Sequence, residues 1–198
     1  MKKTELNKSL LIAIHNGDIH KAKLMLASGA DPNAKEVTGK YKKKNQYTNT
    51  LEAALYCSYF LEKNEQYSLT EEMFSTLLQA GAEINQGANY QDGFRVLHLI
   101  ADCGFTNILR IILRYKIDIN IRDNRGYTPL HWAVTRERTD TIKLLISSGA
   151  DVNAEDEDGI SPISCTINEE IKKILLEAGA KKQILYQTPN PFLTFRDK

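Results

Sequence analysis

A spacing of 33 residues runs through this chain: Gly93, Gly126 and Gly159 are 33 apart, and so are His98 and His131. Asp118 and Asn120 return at the same step as Asp151 and Asn153, and Gly-Ala recurs at 29/30, 81/82, 149/150 and 179/180. Self-similarity at such a period implies a solenoid, because each unit is one supersecondary element that must stack on its neighbours to bury its apolar side. An array of this kind offers one extended surface, which suits binding better than catalysis.

The stretch from residue 122 to 154 explains the unit physically. Thr128 is a natural N-cap, and Pro129 suits the first helical turn, where its missing N–H has no partner to lose. Leu130, Ala133 and Val134 then give the i, i+3, i+4 spacing of a helix with one buried face. Ile142, Leu144, Leu145 and Ile146 form a second apolar set, and Gly149 can end that helix in the left-handed conformation. Two helices this short cannot bury both faces alone, so truncating Leu130 or Leu145 to Ala should cost about 2–5 kcal/mol. From Asn153 to Ser161 the chain turns into the next unit, with Gly159 supplying the bend.

Thr128-Pro129-Leu130-His131-x-Ala133, closed by Gly149-Ala150-Asp151-Val152-Asn153-Ala154, resembles an ankyrin repeat. Aligned on the Gly-Ala-Asp-x-Asn ends, the chain divides into units at 1–34, 35–86, 87–121, 122–154 and 155–180, followed by a tail at 181–198. The resemblance implies an all-α ankyrin solenoid of helix-turn-helix units joined by β-hairpin fingers. It also implies a concave face, made of fingers and first helices, that contacts a partner protein. The contact slots it implies are Asn124, Arg125, Tyr127, Thr135 and Arg136 in unit 4, and Gln91, Asp92, Phe94, Asp102 and Cys103 in unit 3. Unit 2 supplies Asn45, Gln46, Thr48, Tyr56 and Cys57, and unit 5 supplies Glu157, Asp158 and Ile160. Aromatic and arginine side chains dominate interface hot spots, which singles out Phe94, Tyr127, Tyr56, Arg125 and Arg136. Trp132 stands in a slot usually filled by an apolar residue and is expected to pack.

Departures from the repeat are informative too. The first finger is eight residues longer than the last and carries Lys40, Lys42, Lys43 and Lys44. A longer surface loop costs only about 0.6 kcal/mol per doubling, so the fold tolerates it used or unused. It reads as a solvated finger, a protein-binding finger or a patch for nucleic acid or an anionic surface. An insert of eleven residues in unit 2 precedes Ser68-Leu69-Thr70-Glu71, which reads as a capping box restarting a helix. Its Tyr59, Phe60 and Leu61 suit packing on neighbouring helices. Unit 5 is three residues short before Ile171 and is expected to be the terminal cap. The tail carries Ile184, Leu185, Tyr186, Phe192 and Phe195, either folding back over unit 5 or presenting a linear motif.

Composition agrees with a binding module. Hydrophobic content of 42% and charged content of 26% are ordinary for a globular protein. No stretch reaches the roughly 18 consecutive apolar residues of a membrane span. The net charge of +1 hides banding: residues 1–44 hold ten Lys against four acids, and 45–94 hold one Lys against seven. Bands of this kind can orient a mixed-charge partner. Three cysteines without a C-x-x-C pair point to free thiols in a reducing compartment, with no disulfide framework and no zinc site. Phosphate loops, H-E-x-x-H, G-x-S-x-G and Cys-His pairs are all missing, so no catalytic residue, metal or cofactor is expected. His98 and His131 are expected to tie finger to helix. The sequence therefore reads as a monomeric, cytoplasmic adaptor, inhibitor or host-directed effector, with nucleic-acid or anionic-surface binding through the basic finger as the alternative.

Overall fold

Short helices capped at one end and broken at the other dominate the chain, and they stack in pairs. The computed structural model describes residues 2–38, 46–60, 66–84 and 93–181, and the side chains of 36–38, 46–48, 56–60 and 66–69 lie outside that description. Unit 1 is α1 (Lys3–His15) and α2 (Ile19–Ala27), and a hairpin of β1 (Lys35–Thr38) and β2 (Gln46–Asn49) leads into unit 2. Units 2 to 4 are α3 (Thr50–Phe60) with α4 (Gln66–Gln79), α5 (Val96–Cys103) with α6 (Thr106–Ile112), and α7 (Pro129–Thr135) with α8 (Thr139–Ser147). In unit 5 a single 3-10 turn at Pro162–Cys165 precedes α9 (Glu169–Glu177).

Caps explain where helices start. Asp18 accepts from the Lys21 N–H at 2.9 Å ahead of α2, and Asn168 accepts from Glu170 and Ile171 at 3.0 and 3.3 Å ahead of α9. Each such cap contributes about 1 kcal/mol. First helices pack on first helices (α1 on α3, α3 on α5, α5 on α7, α7 on the 3-10 turn), and second helices on second (α2 on α4, α4 on α6, α6 on α8). The result is a two-layered all-α solenoid. One apolar cluster runs its length, with Leu10, Ile14, Leu51, Phe74, Leu77, Ile100, Leu109, Leu130, Ile142 and Leu145 fully buried.

Several expectations change here. Among the described residues, strand pairing occurs only in the first finger, antiparallel from Lys35 opposite Asn49 to Thr38 opposite Gln46. The fingers of units 4 and 5 close as turns, with Asp123 N–H bonded to the Tyr127 carbonyl and Asp156 N–H to the Ile160 carbonyl at 3.0 Å. The proposed capping box at Ser68 to Glu71 lies inside a helix, because α4 already begins at Gln66. The insert has lengthened both helices of unit 2, to 11 and 14 residues, against 8 and 7 in unit 3. In the shortened unit 5 the first helix is reduced to a four-residue 3-10 turn. Lys40, Lys42, Lys43 and Lys44, Leu61 of the insert and the tail beyond Lys181 lie outside the described residues.

Candidate functional site

The site is a row of fingers held by buried histidines. At His131 the Nδ1 atom accepts from the Thr128 N–H at 3.0 Å, which leaves the proton on Nε2 to donate to the Ile160 carbonyl at 3.1 Å. His98 repeats this one unit earlier: Nδ1 accepts from the Arg95 N–H at 3.0 Å, and Nε2 faces the Ile121 and Tyr127 carbonyls, each at 3.1 Å. Each ring therefore ties the helix start of its own unit to the finger of the next. Burial lowers the basicity of both rings, which keeps them neutral.

Inside each finger a carboxylate organises the backbone. Asp123 Oδ1 accepts from the N–H groups of Arg125 and Tyr127, both at 2.9 Å, while its Oδ2 accepts from Trp132 Nε1 at 3.0 Å. Asp156 repeats the backbone part, accepting from Asp158 at 2.9 Å and Ile160 at 2.7 Å. Fingers then touch one another, with the Glu157 N–H bonded to the Arg125 carbonyl at 3.0 Å. Gly126 permits that approach: its φ is +81°, and a Cβ there would lie 3.0 Å from the Asp156 and Glu157 backbone. At the opposite edge, asparagines staple the units. Asn33 bridges the Gly81 carbonyl and the Glu83 N–H, Asn120 bridges Gly149 and Asp151, and Asn153 bridges Gly179 and Lys181.

A family model of ankyrin repeats (3 copies) matches residues 63–156. Residues 63–156, just under half of this chain, are thus ankyrin repeats. Similar stretches occur in the NF-kappa-B inhibitor cactus of Drosophila yakuba and of Drosophila melanogaster, each 49% identical over 47 residues, covering 23% of this chain and 9% of the relative. An ankyrin and IPT/TIG repeat-containing protein of Schizosaccharomyces pombe is 44% identical over 43 residues, covering 22% of this chain and 4% of that protein. The chain thus spans less than a tenth of the length of these relatives.

Within the ankyrin frame, the expected contact slots separate into three groups. Asn124, Arg125, Glu157 and Asp158 are exposed at the tips of neighbouring fingers, and exposed Arg136 pairs with half-buried Asp102. Others belong to the framework. Tyr127 was expected on the binding face, but only 5% of it is exposed. It stacks on His131 with ring centres 5.0 Å apart and meets Trp132 edge to face, because the chain turns inward after Gly126. Phe94 is half-buried against His98 and Trp132, at 5.4 and 5.2 Å. Ile160 packs against the core, and Thr135 is half-buried with its hydroxyl donated to the His131 carbonyl at 2.9 Å. Trp132 packs as expected, and its indole N–H has Asp123 as partner. Asn45, Gln91 and Asp92 lie outside the described residues, as do the side chains of Gln46, Thr48, Tyr56 and Cys57.

Nothing in this ankyrin array prepares a nucleophile among the described residues. Burial, then the Asp102 carboxylate, pushes the Cys103 thiol up to about 11, and burial first pushes Cys165 up to about 12, so neither is a thiolate at neutral pH. Among the described residues no cluster of His, Cys, Asp or Glu could hold a metal ion, and no helix is long and apolar enough to cross a membrane. Sequence reasoning passed over Asp123 and Asp156 as finger organisers. Their signal was present, since they keep the same 33-residue step as the finger glycines.

Proposed function

We propose that this protein binds another protein through the finger tips and first-helix ends of units 3 to 5, acting as a cytoplasmic adaptor, inhibitor or host-directed effector. Ankyrin repeats generally mediate protein–protein interaction. The observation that carries the reading is the sorting of side chains along this edge. The groups that the fold uses, such as His98, Asp123 and His131, are buried, whereas Asn124, Arg125, Glu157 and Asp158 are exposed on adjoining backbones bonded to each other. Polar groups fixed on a rigid scaffold lose little conformational entropy on binding. Cactus is named an inhibitor of NF-kappa-B, and sequestering a partner in that manner is one form the activity would take here.

Affinity capture from a cell extract, comparing wild type with Arg125→Ala/Arg136→Ala/Glu157→Ala, tests the reading, with thermal melting of both as the control for folding. Loss of captured partners by a variant of unchanged melting temperature supports it. Retention of the same partners by the triple variant overturns it. If retention fails instead on Lys42→Glu/Lys43→Glu/Lys44→Glu and falls steeply with salt, the basic finger is the binding element.

A further inference from the structure

Asn49-Thr50-Leu51-Glu52 occupies in unit 2 the place that Thr128-Pro129-Leu130-His131 holds in unit 4, with Glu52 where the buried histidine stands. The capping geometry confirms the correspondence. The Glu52 N–H donates to Asn49 Oδ1 at 2.9 Å, and Glu52 Oε1 accepts from Asn49 Nδ2 at 3.2 Å, so this side chain returns to its cap as His131 does to Thr128. Glu52 is 1% exposed, and its second oxygen, Oε2, is buried with no hydrogen-bond donor. In His98 and His131 the atom beyond the cap carries a proton and donates to the carbonyl just after the next finger glycine, at Tyr127 and Ile160. The counterpart after Gly93 is Phe94.

We propose that Glu52 is a neutral carboxylic acid in the folded protein, that its hydroxyl donates to the Phe94 carbonyl, and that loss of this proton loosens unit 2 from the finger of unit 3. A buried carboxylate facing a carbonyl would oppose two partial negative charges without water, whereas the protonated acid supplies the donor that the slot requires. Burial, only partly offset by the Asn49 hydrogen bond and the charge of Lys35, holds Glu52 up at about 7.

The charged groups on the elements around Glu52 are mostly exposed or already paired. Lys35 on β1 is the cation acting on it, and β2 contributes no ammonium, guanidinium or carboxylate. On α1, Glu5, Lys8 and His15 are exposed. On α4, Glu72 pairs with Lys23 and Glu71 accepts from Asn107. On α5, Asp102 pairs with Arg136 and His98 is engaged by backbone, with half-buried Arg95 at the cap.

The folded state then holds a proton that the unfolded chain, with its carboxyl near 4.5, releases. Stability from this group is complete below that value and declines as pH rises to about 7. Thermal melts of wild type, Glu52→Gln and Glu52→His between pH 5 and 8 test the proposal. Glu52→Gln keeps a donor that cannot ionise, so its advantage in melting temperature over wild type should grow as pH rises, and Glu52→His should behave alike above its own titration. Curves for wild type and Glu52→Gln that run parallel across the range overturn the proposal. Should the variants fail to fold, carboxyl-carbon NMR of Glu52 in the wild-type protein decides: a midpoint near neutrality supports it, and one in the ordinary carboxylate range overturns it.

Discussion

Arg136 donates through Nε to Asp102 Oδ1 at 2.6 Å, joining the end of the first helix in unit 4 to that in unit 3. Arg138 adds a bond from its Nε to the Asp102 carbonyl at 3.0 Å. The Arg136 side chain is 53% exposed, and an ion pair in that setting is worth no more than about 1 kcal/mol. Arg136→Ala should therefore leave the denaturation midpoint nearly unchanged while lowering partner affinity about tenfold or more, as expected for a hot-spot arginine. Urea melts read beside binding titrations check this; a large stability loss with intact binding would make the pair structural.

His98 and His131 predict an acid-sensitive fold. Both are held below the usual imidazole value by burial, so below about pH 6.5 the unfolded chain binds more protons than the folded one. Stability from these rings is fully present above that pH and lost as pH falls, by up to about 1.4 kcal/mol per pH unit per ring. Glu52 trends the opposite way, so the measurement belongs on Glu52→Gln. There, adding His131→Gln, which keeps an amide donor without a titrating ring, should flatten part of the acid-side decline in urea-melt stability.

Asp123→Ala should strip the finger of unit 4 of its organiser. Three donors lose their acceptor, among them the half-buried indole N–H of Trp132, and a loss of about 2–3 kcal/mol follows. The chain has one tryptophan, so its fluorescence reports this site alone. An emission shift accompanying the stability loss is the expected result, and unchanged emission would place the indole bond outside the finger's organisation.

Glu137 has φ +56°, the left-handed region, at the turn between α7 and α8. One period earlier the same turn is made by Gly104, at φ +78°. Glu137→Gly should relieve that strain and raise stability by about 0.5–1 kcal/mol, visible as a higher melting temperature. Gly104→Ala should lower it, because φ +78° is a backbone conformation that residues with a Cβ rarely adopt.

Tyr127 shows how far sequence alone could carry the site. Its position one residue after a finger glycine marked it for a partner, on the same grounds as Arg125 two residues before Tyr127. The ankyrin resemblance placed both on the finger without saying which side of the bend each side chain leaves from. That is settled by the turn at Gly126 and by the rings of His131 and Trp132 waiting beneath it. Tyr127→Ala should consequently unfold the array by about 3–5 kcal/mol, as other large buried aromatics do, instead of selectively removing a contact.

Periodicity in the sequence determined the solenoid, the helix start at Thr128, and the framework role of the histidines, because caps, glycines and apolar spacing act locally and repeat with the chain. Tertiary structure decided what each unit does to its neighbour. The histidine ring reaches the finger of the next unit, Asp102 meets Arg136 across a unit boundary, and Glu52 lies buried in a histidine's place. Such relationships join residues about 30 positions apart along the sequence, and only stacking, which brings successive units within about 10 Å, creates them.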